Sequence, residues 1–333
     1  MKRDELMQAP AILRDYLSYH ETIAGHSDKT VDEYFLDLRL FFRFLVKKRG
    51  GASNAVPLEE ISILKVDKAF MQSVTLNEVY DFMRYLSRER PKQQNSPHTD
   101  YGLTASARAR KVVSIRSFYK YLKKFHIIDD NPVSDLESPK KIKKLPRYMT
   151  LQESLALLQS VKGRHAERDY AILTLFLNCG LRRSELAGLN VTDAVGEKIR
   201  VFGKGGKERE LYLNDACREA LDGWKEKRPK DTDEKALFLS GQNKRMHPNT
   251  VHALVKKHLL NAGLDPNRYS THKLRHTAAT LMLSNGVDVR TLQEVLGHEH
   301  LNTTQIYTHI DSTELRLAAK ANPLSRVKKK PTF

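Results

Sequence analysis

Three blocks near the C-terminal end of this 333-residue chain carry residue types that do chemistry on phosphate. They read His272-Lys273-Leu274-Arg275-His276-Thr277, then Leu296-Gly297-His298, then Thr303-Thr304-Gln305-Ile306-Tyr307-Thr308-His309. Arginine is always charged and presents a planar fork of donors that matches phosphate oxygens, while histidine gives or takes a proton near neutral pH. Tyrosine adds a nucleophile, but a phenol of pKa about 10 costs roughly 4 kcal/mol to ionise at pH 7, so it needs cations nearby. A metal site is the rival reading, because His272 and His276 stand four apart like paired zinc ligands on a helix, with His298, His300 and His309 available to complete a set. Against it, Lys273 stands where the metalloprotease pattern has Glu, and a Lys-Leu-Arg run inside the pair disfavours a divalent cation.

Helical spacing supplies the elements that would position these groups. Thr271 is placed to cap a helix whose apolar residues Leu274, Ala278, Leu281 and Leu283 form a buried face up to Asn285-Gly286, with His272 and Arg275 together on another face. A second helix runs from Asp288 to Leu296 and stops at Gly297, leaving His298 just beyond it. A third, short helix begins near Asn302 and carries Tyr307. This spacing lets an arginine, two histidines and a tyrosine converge with none of them in the core.

Two upstream stretches belong with these blocks. Cys179-Gly180-Leu181-Arg182-Arg183-Ser184-Glu185-Leu186 follows an apolar helix over residues 168–178, and by itself Arg182 beside Glu185 could be a surface ion pair. Gly203-Lys204-Gly205-Gly206-Lys207-Glu208-Arg209 separates two strand-like stretches, residues 198–202 and 210–213; it has neither the spacing nor the Ser/Thr of a P-loop and reads as a hairpin turn. Residues 237–239 read as a third strand, and residues 249–260 as a helix.

In order and spacing these blocks resemble the tyrosine recombinases, the Xer and phage-integrase family. The resemblance covers residues 144–320 by motif. It implies the catalytic set Arg182, Lys204, His272, Arg275, His298 and Tyr307, with no metal and no cofactor. Tyr307 would attack a phosphodiester to give a 3′-phosphotyrosyl bond and a free 5′-hydroxyl; Arg182 and Arg275 would hold the non-bridging oxygens, Lys204 would protonate the leaving oxygen, and His272 and His298 would assist. Because the phosphotyrosine conserves the bond energy, ATP is not needed. A type IB topoisomerase shares this chemistry and is one alternative; a non-catalytic DNA-binding regulator is the other.

Composition agrees with a polyanionic partner: Lys plus Arg outnumber Asp plus Glu 57 to 40, a net +17. Cys179 and Cys217 are too few for a disulfide framework and read as reduced structural thiols. With no apolar signal segment and no long apolar run, the expectation is a soluble cytoplasmic protein, nucleoid-associated, with no membrane contact.

The N-terminal part reads as four helices. Val31, Tyr34, Phe35, Leu38, Phe41, Phe42 and Leu45 recur at steps of three and four, with Thr30 and Glu33 as a capping pair. A helix over residues 104–125 packs Val112, Val113, Ile115, Phe118, Tyr119 and Leu122. Its other side carries Arg108, Arg110, Lys111, Arg116, Lys120, Lys123 and Lys124 with no anion among them, which points to phosphate. Residues 137–147 form a basic, Pro-bounded linker containing Lys140, Lys141, Lys143 and Lys144. The resulting organisation is a helical DNA-binding domain over residues 1–136, this linker, a catalytic domain over 148–320 and a basic tail over 321–333. The fold expected is mainly α with a small β-sheet in the catalytic domain. From the resemblance follow a two-domain clamp, with an N-terminal four-helix core-binding domain, on double-stranded DNA carrying paired half-sites. So does a homo- or hetero-tetramer on two sites, in which the C-terminal segment bearing Leu315, Leu317, Ala318 and Ala319 is exchanged between protomers. The rival for that segment is a helix folded back on its own domain.

Overall fold

A computed structural model of the chain describes residues 7–53, 55–91, 100–140, 147–203, 206–230, 232–297 and 312–329. It divides into two units, Met1–Lys143 and Lys144–Phe333, each with its own hydrophobic core. Among the described residues no helix is long and apolar enough to cross a membrane.

The first unit is all helix: α1 (Ala11–Ser18, continued by a π-helical turn Tyr19–Ile23), α2 (Asp28–Lys48), α3 (Lys68–Gln72), α4 (Leu76–Arg88) and α5 (Ala105–Lys124). The short α3 was not apparent in the sequence. In α2 the expected stripe is buried, except that Tyr34 is only half-buried. The cap is not where the sequence put it. The helix starts at Asp28 with Ser27 as N-cap, so Thr30 lies in the first turn and Glu33 reaches across to Arg110 instead. Where a capping box does form, at Thr75 and Glu78, it starts α4. Val113, expected in the packed side of α5, is 54% exposed.

The second unit is built around α7 (Ala166–Cys179), buried nearly all round and packed against α9 (Asp215–Lys227) and α11 (Thr271–Ser284). Before α7 comes α6 (Leu151–Gln159), opened by a Thr150–Glu153 capping box. After it come α8 (Arg183–Gly188) and an antiparallel sheet of three strands in sequential order, β1 (Ala194–Val195), β2 (Lys198–Phe202) and β3 (Glu208–Tyr212). Its register sets Val201 opposite Arg209. The third strand is thus Ala194–Val195, not residues 237–239; that apolar run is buried and makes one isolated bridge, Leu239 to Arg245, with another just before it from Asn190 to Ala236.

Next come α10 (Pro248–Asn261), α11 and α12 (Val289–Leu296). The N-cap of α11 is Ser270, one residue before the expected Thr271, and Met282 rather than Leu283 faces the core. Asp288 caps α12, accepting hydrogen bonds from the backbone of Arg290 and Thr291 at 2.8 and 3.0 Å, and Gly297 ends it with a left-handed φ of 64°.

The last helix, α13 (Ser312–Ala321), packs on its own unit against α12, α11 and β3, with Ala318 buried and Leu317 exposed. The chain beyond it is anchored as well. Asn322 is fully buried and donates to the Leu177 carbonyl at 2.9 Å, and Leu324 enters the core. Cys179 and Cys217 are buried free thiols, Sγ to Sγ 3.8 Å.

Candidate active site

Arg182 is positioned by the abrupt end of α7. Gly180 adopts φ 60°, and a Cβ there would stand 2.7 Å from Leu296 Cδ2, so both backbone and space demand glycine. Leu181 then inserts into the core and Arg182 begins α8. Glu185 fixes it from the first turn: its Oε2 accepts from the Arg182 backbone N at 2.8 Å and its Oε1 from Arg182 Nη1 at 2.6 Å. Arg182 Nη2 also donates to the Gly297 carbonyl at 3.0 Å.

Arg275 comes from α11 and reaches the same place. It was expected outside the core, yet it is only 4% exposed. Burial is tolerated because Nη1 donates to the Gly180 carbonyl at 2.7 Å and Nη2 to the Leu296 carbonyl, the C-terminal ends of α7 and α12, where helix dipoles favour a cation. Burial, and then the nearby Arg182, pull its pKa down to about 10, so it stays charged at neutral pH. Two arginines from distant parts of the chain therefore lock onto one helix end. Each donates from both terminal nitrogens to partners among the described residues.

His272, one turn before Arg275, is exposed. Its partial burial and the cations Arg275, Lys273 and Arg182 lower its pKa, favouring the neutral ring. Its ring meets His276 edge to face at 4.8 Å between centroids. Among the described residues no three His, Cys, Asp or Glu gather to hold a metal ion.

Lys204, His298 and Tyr307 lie outside the described residues. Gly203 N donates to the Lys207 carbonyl at 2.7 Å, closing the hairpin around position 204, and Gly297 immediately precedes His298.

A residue to which the sequence pattern drew no attention joins Arg182 and Arg275 at Glu185. Arg209, on β3, donates through Nη1 and Nη2 to the two oxygens of Glu185, each at 2.9 Å, and through Nε to the Val295 carbonyl at 3.2 Å. The available signal was the strand's two-residue period, which puts Arg209 on the same side as buried Leu211. Burial alone would raise the Glu185 carboxyl. Hydrogen bonds from Arg209 and the Arg182 backbone, then the Arg209 charge and a hydrogen bond from the Arg182 guanidinium, outweigh it and hold the pKa at about 2.

The basic side of α5 is more divided than the sequence implied. Lys111, expected to face phosphate, is buried, its Nζ 2.6 Å from Asp37 Oδ1. That carboxylate also takes Ser114 Oγ and Arg110 Nη1, each at 2.8 Å, and Arg110 pairs with Glu33 too. Arg108 is tied to Ser87 Oγ at 3.0 Å and the Leu103 carbonyl at 2.7 Å. Arg116, Lys120 and, in the linker, Lys140 are exposed; Lys141, Lys143 and Lys144 lie outside the described residues.

The phage integrase family model matches residues 147–314. A tyrosine recombinase XerC of Caldanaerobacter subterraneus subsp. tengcongensis is 50% identical over 326 residues, spanning 97% of this chain and 89% of the relative. A tyrosine recombinase of Pseudothermotoga lettingae is 32% identical over 91% of this chain and 95% of its own length. Among solved structures, the XerH recombinase bound to difH in a pre-cleavage complex aligns with a TM-score of 0.62 at 21% identity, over 95% of this chain and 86% of the other. A lambda integrase tetramer bound to a Holliday junction aligns at 0.60 and 17% identity, over 90% and 80%. These two likenesses establish the fold, mainly helical with one small sheet.

Proposed function

The chain belongs to the phage integrase family of tyrosine recombinases, and from that premise we propose that Arg182, Lys204, His272, Arg275, His298 and Tyr307 form its active site. The enzyme is a site-specific recombinase, a DNA strand-exchange enzyme. Tyr307 Oη attacks the scissile phosphorus and its proton passes to His272. The 5′ oxygen leaves with a proton from Lys204, and the bond energy stays in the 3′-phosphotyrosyl link until a second strand's 5′-hydroxyl attacks it. The observation that carries this reading is the convergence of Arg182 and Arg275 on the carbonyls of Gly297 and Leu296, at the end of the helix that leads to His298 and Tyr307.

Two inverted half-sites on double-stranded DNA would each take one protomer, and two sites would assemble four around a Holliday junction, as the lambda integrase tetramer does. In this arrangement the first unit and the basic linker would add to the grip on the duplex, with Arg116, Lys120 and Lys140 on phosphates. The segment after Tyr307 passes to a neighbouring protomer, which requires α13 to leave the seat it occupies in the single chain. The 50% identity to a XerC recombinase supports a chromosomal site and the resolution of chromosome dimers.

The test is recovery and sequencing of DNA covalently attached to the wild-type protein in cells, followed by assay of Tyr307→Phe on a nicked duplex of the recovered sequence. The variant should bind with near-normal affinity and form no covalent complex. A Tyr307→Phe protein that still traps DNA refutes the nucleophile, and recovered DNA that maps to the ends of a mobile element refutes the chromosomal role.

A further inference from the structure

Arg209 joins three pieces of the site with one side chain. It lies on the strand that follows the Lys204 turn, it grips both oxygens of Glu185 in the helix that Arg182 opens, and it holds the Val295 carbonyl in the last turn of α12. Packing around it is close: a Cβ on Gly297 would stand 3.1 to 3.2 Å from its Nη1, Cδ and Cζ. Glu185 meanwhile faces Arg182 at 2.6 Å and Arg275 at 3.9 Å, the two arginines assigned to the phosphate. A buried carboxylate that close orients the guanidinium groups, and it also cancels part of the charge that must stabilise the transition state. With Arg209 present, three guanidinium charges against one carboxylate leave the cluster at +2; without it the balance is +1.

We propose that Arg209 is a positioning residue for strand cleavage: it absorbs the charge of Glu185, so that Arg182 and Arg275 are aligned by that carboxylate without being neutralised by it. The proposal rests on the recombinase reading of this site. A cross-link needed only for stability could be apolar, since a buried ion pair recovers its desolvation cost poorly. The depressed Glu185 pKa agrees with a carboxylate kept ionised by this grip.

The experiment uses the full-length protein and a nicked duplex of the sequence recovered covalently attached to the wild type, read as the single-turnover rate of covalent-complex formation, with binding followed by gel shift. Arg209→Met is expected to cleave about 30-fold more slowly while binding within about threefold of wild type. Adding Glu185→Gln to it should restore the rate by about fivefold, because the uncompensated carboxylate is gone. If Arg209→Met does not fold, Arg209→Lys, which keeps the charge on one donor group, should fold and lose less than about tenfold. Cleavage by Arg209→Met within threefold of wild type, a double variant slower than Arg209→Met alone, or an Arg209→Lys enzyme slowed by as much as is expected of Arg209→Met would each overturn the proposal. Failure of the wild type to yield any covalently attached sequence would instead overturn the recombinase reading beneath it.

Discussion

Removing the Asp37 carboxylate should unfold the first unit at much lower denaturant and leave the second untouched. Asp37 is 1% exposed and takes Lys111 Nζ at 2.6 Å, Ser114 Oγ at 2.8 Å and Arg110 Nη1 at 2.8 Å. In Asp37→Ala, Ser114 keeps the Arg110 carbonyl as an acceptor and Arg110, half-exposed, keeps Glu33, so the loss falls on buried Lys111. Stranding one charge of a buried pair costs about 3–5 kcal/mol. At a urea slope of about 2 kcal/mol/M, that moves the midpoint down by roughly 1.5–2.5 M. The two units can be followed separately, because the single tryptophan, Trp224, lies in α9 of the second. Far-UV circular dichroism should therefore show an early helical transition while Trp224 fluorescence keeps its midpoint. Lys111 has a pKa already lowered by burial and held up in part by Asp37. Without the carboxylate it falls further, the unfolded chain then binds more protons, and the variant should grow more stable as pH rises. Asp37→Leu with Lys111→Met, similar in shape and uncharged, should recover most of the loss. A midpoint shift under about 0.5 M for Asp37→Ala, or a double variant no better than the single, refutes the reasoning.

Acid should release the Glu185 cluster: with a folded pKa of about 2 against 4.5, the stability it contributes is complete above pH 4.5 and lost as pH falls toward 2, about 3 kcal/mol in all, visible as a Trp224 transition that Glu185→Gln lacks. Neutralising Lys140, Lys141, Lys143 and Lys144 together should lower the slope of log K against log salt by about one for each phosphate left without its lysine; an unchanged slope makes the linker a solvated hinge. Stopping the chain after Asp311 should leave single-site binding in gel shifts largely intact and abolish synapsis and strand exchange, and normal exchange by the shortened protein would show that the tail does not link subunits. Because Asn322 and Leu324 anchor the second unit's core, the same truncation should also lower the Trp224 midpoint.

Local rules made much of this chain legible. The stripe of α2 and the stop at Gly297 both depend on residues within a few positions of one another. Misreadings arose where a distant partner decides. Lys111 looked like a free cation because its acid is on another helix, Arg275 looked external because the carbonyls that receive it come from Gly180 and Leu296, and Arg209 drew no attention because Glu185 and Val295 are far along the chain. Two-residue β1 was too short to show alternation, and the apolar run at 237–239 imitated a strand by being buried on every side. The site's motif order was visible without the structure; the electrostatics that tie its arginines together were not.

The knot at Glu185 also constrains how this enzyme can drift over generations. Changing Glu185, Arg182, Arg209 or Arg275 alone to an uncharged residue leaves a charge without its partner in a crowded, partly dry space, so such single substitutions should be selected against. A route that removes these charges should change two or more of the positions almost together, and Gly297 is tied to Arg209 because its missing Cβ is the room that side chain occupies. The Asp37 and Lys111 pair has no such partner in the chemistry and is open to replacement by apolar residues. Lineages should therefore exchange the buried ions of the first unit as a pair for apolar residues, while the charged cluster of the second is inherited together.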